Sequence, residues 1–391
     1  MVVDPQPVHD QASCGNAGML SIGHVPLTRP GVSWKGLRWM LSRTSPLYIR
    51  PTLDREIWSW LWQFHQHCQE PWFARTMTSL CEQGWASMRC IDRFMEESCC
   101  PCLFRKVGWM AVCRTESMLH EQAEEAALAQ AHGYDCVTLS GGELRATSPC
   151  YRPDVAGAVH WRDSAICDPR EYMKGLERAC RARGVTFAPR TAVGRITRDA
   201  GGRAIGVECG DGSRVEATHV VVAAGVWSKR ILEEVGVRCP LVGARGYNVR
   251  LEGMHSLPAA AAVLSETSIA ATPTGNDLRL AGTLEIGPLG KPWIRSRLDQ
   301  LRRGASAYLE GGLDRAATVE EWAGYRPCLP DGMPAVGGVA SIPGLFVGTG
   351  HAMLGMTLGP IAGQTLSRLI VGEAAEIDLS LMRPDRFGVS R

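Results

Sequence analysis

The run Phe346-Val347-Gly348-Thr349-Gly350-His351 reads as a strand, a tight glycine turn and the start of a helix. Such a joint gathers free backbone amides and the positive end of a helix dipole at one spot, which accepts negative charge. Taken alone it is also an ordinary strand-turn-helix connection. Cys99-Cys100-Pro101-Cys102 offers a single C-x2-C step with no second pair to complete a zinc site, so no metal centre is expected. The chain holds 37 arginines and only 5 lysines, a bias that fits a GC-rich genome, so an Arg gains chemical meaning only from its position.

The elements that would position such groups are legible in part. Asp168-Pro169-Arg170-Glu171 combines a capping acid, a proline at the first helical position and a glutamate three residues after the cap. A helix to about Arg183 is predicted, stopped by Gly184 and followed by a strand at Val185-Thr186-Phe187. Three short strands are predicted next, near 193–198, 204–209 and 213–217, with turns at Ala200-Gly201-Gly202 and Asp211-Gly212. The apolar run Thr218 to Gly225 reads as a parallel strand covered on both faces. Alternating segments from Arg245 to about Glu285 predict a mainly antiparallel sheet, and helices are expected near 294–309 and 355–371. From Trp34 to Trp85 lie seven of the twelve tryptophans, on segments of helical length. That layer either packs on a core or offers an interfacial patch to a membrane or partner.

Gly324-Tyr325-Arg326-Pro327, then Pro330-Asp331-Gly332-Met333-Pro334-Ala335-Val336-Gly337, then Gly350-His351-Ala352-Met353-Leu354-Gly355-Met356-Thr357 together resemble the C-terminal signature of the D-amino-acid oxidase-like FAD-dependent oxidoreductases. Within that family the pattern is most similar to the bacterial D-amino-acid dehydrogenases. Ser13, Asn16, Ala17 and Gly18 resemble the group's S-x-x-N-A-G loop, and Thr218 to Gly225 resembles its second FAD-contacting strand, so the resemblance covers nearly the whole chain.

The resemblance implies oxidative deamination of D-amino acids to 2-oxo acids and ammonia, with hydride passing from Cα to flavin N5 and electrons going to a quinone or other carrier. A planar guanidinium can grip a carboxylate through two parallel hydrogen bonds and so fix the direction of the Cα hydrogen. Arg326 occupies the family's anchor position. Tyr247 matches a position facing the substrate, where it could donate its hydroxyl, or is a buried structural tyrosine. Met356 and Thr357, at the helix starting near Gly355, are expected to face the charge of the reduced flavin. His351, beside Gly350, contacts the flavin or caps the turn. Ala224 and Gly225 belong to the FAD-contacting strand, and Val193 matches a position whose backbone meets adenine or is plain strand core. Where relatives with covalent flavin carry the attaching Cys, this chain has Gly324, which implies non-covalent FAD.

The chain departs from the family at its start. A dinucleotide site needs a strand, a G-x-G-x-x-G turn and a helix, with a ribose-binding acid about 20 residues later. Asp4 matches that acid, and the glycines before it are missing. The expectation is a start codon placed too late, or a degenerate copy that never binds flavin, with Val2-Val3 and Phe346-Val347 lacking their common neighbour.

The predicted architecture is α/β. A discontinuous Rossmann-type FAD-binding domain takes 1–35, 150–240 and 325–391; a substrate domain on a mainly antiparallel sheet takes 36–149 and 241–324. A net charge of +2 excludes the basic field of a dedicated nucleic-acid binder. Fifteen cysteines without a signal peptide fit a reducing cytoplasm, and no apolar run reaches bilayer length. Peripheral contact with the inner face of the membrane, through the tryptophan-rich helices, is the expected location of any acceptor exchange. A glycine or sarcosine oxidase-like amine oxidase is the alternative within the class.

Overall fold

The computed structural model describes residues 1–32, 45–98 and 100–388. Trp34 and Cys99, named above, lie outside the described residues.

A mixed sheet of nine strands dominates. Its order is Ala317–Cys328, Val242–Glu252, Asp277–Ile286, Ile269–Thr274, Ala261–Leu264, Trp109–Cys113, Gly157–Trp161 and Cys136–Ser140, with Leu47–Ile49 added beside Asp277–Ile286. All pairings are antiparallel except Ala261–Leu264 with Trp109–Cys113 and Leu47–Ile49 with Asp277–Ile286. The substrate-domain sheet is thus mainly antiparallel, as expected. It also recruits Gly157–Trp161, a segment the sequence assigns to the other domain, because nothing local to a strand specifies its distant partner.

The remaining strands fall into smaller sheets. Val2–Asp4 pairs in parallel with Phe187–Pro189, and Val193–Arg198, Ala204–Cys209 and Arg214–Glu216 form the expected meander. Leu345–Thr349 lies between Val220–Val222, parallel, and Ala335–Gly338, antiparallel. The Phe346-Val347 strand has neighbours on both sides but shares none with Val2–Asp4, which lies in a separate sheet, so the two lack a common neighbour as expected; Val220–Val222 is one edge of its sheet, and Val221 is exposed between buried Val220 and Val222. The run from Thr218 to Gly225 is strand only over those three residues, since Gly225 opens a 3-10 turn with φ +54°.

Helix starts follow local chemistry. The Asp168 carboxylate accepts hydrogen bonds from the Arg170 and Glu171 amides, and the helix Pro169–Ala182 ends before Gly184 at φ +83°. The following strand is Phe187–Pro189, two residues later than predicted, in register with Val2–Asp4. The long helix Glu70–Ser98 lies against Gly355–Ile370, where Ser87 Oγ donates to Thr357 O and Cys90 Sγ to Gln364 Oε1 at 3.0 Å. That contact ties the last helix to Glu70–Ser98.

Candidate active site

Between the sheet and the start of the Gly355–Ile370 helix lies a cavity of about 730 Å³. Strand residues Trp322, Gly324 and Arg326 share one face by the two-residue period, and all three line it. Arg326 is held from below. The opposite strand presents Gly246, where a Cβ would stand 1.8 Å from Arg326 Nη1, so only glycine leaves room for the guanidinium. Next to it Thr283 adopts φ +56°, and its carbonyl accepts from Arg326 Nη1 at 3.2 Å. Register shifts mark the same spot, between Arg245 and Tyr247.

Among the described residues no carboxylate lies within ion-pair distance of Arg326, and burial pushes its pKa down from the usual guanidinium range. A half-buried cation on the cavity wall without a counter-charge is built to be completed by an anion.

Trp322 sets the cavity's floor. Its indole lies where a Cβ on Gly15 would come within 2.2 Å and one on Gly324 within 2.1 Å. The loop bearing Gly15 is clamped from the sheet: Asn248 Nδ2 donates to Gly15 O at 2.7 Å, and Arg279 Nη1 to Cys14 O and Asn16 O at 3.4 Å each. Ser13, Asn16 and Ala17 are thereby presented to the cavity. Gly18 has φ +83°, and a Cβ there would stand 2.5 Å from Cys167 O; it shapes the loop exit and does not line the cavity.

On the other side stand Gly225, His351, Gly355 and Met356. The last helix has no side-chain cap, which leaves its first amides available. His351 Nε2 is buried without a hydrogen-bond partner, and burial lowers its pKa to about 4, so the imidazole is neutral near pH 7. Thr357 faces away, its carbonyl taken by Ser87; Ala224 and Gly350 also lie outside the lining.

Tyr247 does not line the cavity. Its ring is buried and its hydroxyl donates to Glu285 while accepting from the Ile294 amide at 3.1 Å, which places the side chain on the opposite face of its strand from the expected substrate. Asp4 and the strand starting at Val193 are brought together, since Thr191 N donates to Asp4 O at 3.2 Å, but both stand apart from the cavity. Asp4's carboxylate meets Gln6 N and Gln11 Nε2.

Sequence reasoning missed Trp322, Gly246, Thr283 and the stacked pair Trp109 and Trp161, which line the far wall with ring centroids 5.2 Å apart. Two-residue alternation from Arg326 would have found Trp322; no local signal marks the others.

A flavin ring fits these residues: an orphaned imidazole nitrogen, uncapped helix amides and an unpaired guanidinium surround one cavity.

A mixed α/β fold with such a site defines a flavin-type oxidoreductase. The family described as FAD dependent oxidoreductase matches residues 1–369, and the chain belongs to that family. It is 29% identical over 384 residues to a D-amino acid dehydrogenase of Methylobacterium radiotolerans, covering 95% of this chain and 90% of that one. It is 30% identical over 393 residues to one of Cereibacter sphaeroides, covering 99% and 89%. Among solved structures, a Bacillus cereus glycine oxidase superposes with TM-score 0.72 at 20% identity, over 95% of this chain and 88% of that one. An iminodiacetate oxidase of a Chelativorans species does so with TM-score 0.70 at 22% identity, over 98% and 91%.

Proposed function

We propose that this enzyme oxidises D-amino acids to 2-oxo acids and ammonia. The unpaired, half-buried Arg326 guanidinium on the cavity wall carries the reading, and the names of relatives at 29–30% identity support the D configuration. Bound FAD would supply the hydride acceptor, with electrons leaving to a quinone or other carrier.

Arg326 takes the substrate carboxylate in a bidentate pair, and the Thr283 carbonyl keeps the guanidinium plane from rotating. The substrate amine, once neutral, drives loss of hydride from Cα, so no side-chain base is required; water then hydrolyses the imine. Neutral His351 faces the cavity without adding charge. Ser13, Asn16, Ala17, Gly225, Gly355 and Met356 are assigned to the flavin ring, with Asp4 and Val193 at the adenosine end. Non-covalent attachment is supported by the Trp322 ring filling the space beside Gly324 and by Cys328, whose thiol burial pushes up to about 12.

The test is anaerobic mixing of FAD-loaded protein with D-alanine, followed at the flavin band near about 450 nm. Bleaching in the wild type and its loss in Arg326→Ala is the expected result. A chain that retains no flavin, or bleaching by glycine and not by D-amino acids, would overturn it.

A further inference from the structure

We propose that the far lobe of the cavity, walled by Trp109, Trp161 and His24, is a side-chain subsite that selects D-amino acids carrying a phenol, of which D-tyrosine is the type. This deepens the reading of the activity given above and rests on it. Trp109 and Trp161 are 5% and 3% exposed, both line the cavity, and the indole nitrogen of each is buried without a hydrogen-bond partner. A buried N–H donor left unmatched is costly, so two in one wall call for an acceptor from the ligand.

The sheet lays out the path from the anchor to this lobe. Ala281, Ala270 and Val263 stand opposite one another on three successive strands and line the cavity, as do Trp109 and Trp161, which face each other in register. Arg326 is tied to the first of these strands through the Thr283 carbonyl, and Trp109–Cys113 lies three strand steps further on, at least about 14 Å of backbone. The two alanines leave room above the sheet along that path, and a methyl side chain on the substrate stops short of the indoles. A benzyl group with a para substituent is long and flat enough to meet indoles that reach back toward it.

Ring geometry and polarity narrow the occupant. His24, Trp109 and Trp161 form one stacked column, with centroids 5.9 and 5.2 Å apart and interplanar angles of 14° and 9°. An aromatic side chain extends such a column. His24 Nδ1 lies 3.0 Å from the Val25 carbonyl, which can only accept, so Nδ1 carries the proton. Burial lowers the pKa of His24, leaving a neutral ring whose Nε2 accepts. A phenol satisfies both sides, since its oxygen accepts from an indole N–H while its proton goes to His24 Nε2. Arg29, which also lines the cavity, is already paired with Glu125, so an anionic side chain gains no unpaired cation from it.

The experiment compares D-tyrosine, D-phenylalanine and D-alanine as reductants of the FAD-loaded protein. Titration calorimetry with 4-hydroxyphenylacetate and phenylacetate, which carry the same rings without an amine, reads binding apart from turnover. Wild type should favour D-tyrosine over D-phenylalanine by about tenfold in kcat/KM, with D-alanine slower still, and should bind 4-hydroxyphenylacetate about tenfold more tightly than phenylacetate. Trp109→Phe with Trp161→Phe keeps two rings and removes both donors, so both ratios should fall to within about twofold of one. Each ratio is taken within one preparation, which cancels losses of folding or flavin content. Equal handling of D-tyrosine and D-phenylalanine by the wild type, or a tyrosine preference retained in the double variant, would overturn the proposal. If no D-amino acid, D-alanine included, reduced the flavin, the assigned activity would fall, and the ratio of the two phenylacetates would decide the subsite by itself.

Discussion

The Arg326 guanidinium occupies the space a side chain at Gly246 would need, with 1.8 Å between Nη1 and the Cβ position. The two residues lie on neighbouring strands two pairs out of register, Gly246 opposite Gly324 and Arg326 opposite Ala244. Gly246→Ala should therefore displace the anchor while leaving the sheet paired. The expected outcome is a loss of about 2 kcal/mol in kcat/KM, carried mostly by KM, with an unchanged far-UV spectrum.

Arg326→Ala should separate activity from stability. Removing the carboxylate partner costs about 2 to 5 kcal/mol of transition-state stabilisation. Because the folded protein holds this cation without a counter-charge, the same substitution should leave the melting temperature equal or higher. A change under about threefold in kcat/KM would remove Arg326 from its role.

His351 should shape the acid limb of stability. Its pKa falls to about 4 in the folded state, below the 6.5 of a free imidazole. Between those values the unfolded chain binds a proton that the folded one refuses. Stability is then full above about pH 6.5 and declines toward pH 4, by about 3 kcal/mol at most. Urea titrations of His351→Gln at the two ends of that window should show a flatter dependence than wild type.

Gly324→Ala tests the floor of the cavity. The added methyl would meet the Trp322 ring at 2.1 Å, so the ring must move or the strand must shift. A loss of about 1 to 3 kcal/mol in denaturant unfolding is expected, along with weaker flavin retention. Retention at wild-type affinity would show that Trp322 has room to spare.

Asp331→Asn tests a residue of the family signature that serves the fold. Arg386 Nε donates to Asp331 Oδ2 at 2.7 Å and Nη2 to Oδ1 at 3.1 Å, tying the C-terminal segment under the turn. Breaking this buried fork should cost about 3 kcal/mol in thermal or urea melts, with kcat/KM little changed once folded.

What could be read without coordinates was whatever a few consecutive residues decide. The Asp168 cap, the stop at Gly184 and the helix from Gly355 depend on amides and torsions within one turn of chain, and they appear where expected. The signature around Arg326 and Gly350 likewise pointed to a site because its spacing is local. Tertiary structure alone decided that Gly157–Trp161 joins the large sheet, that Phe346-Val347 is flanked on both sides, and that Tyr247 turns to Glu285 and away from the cavity. Such outcomes depend on pairing between distant stretches of chain, as in Tyr247 with Glu285, 38 positions apart. A two-residue period sets which side chains share a face, while only the assembled sheet decides which face is buried and against what.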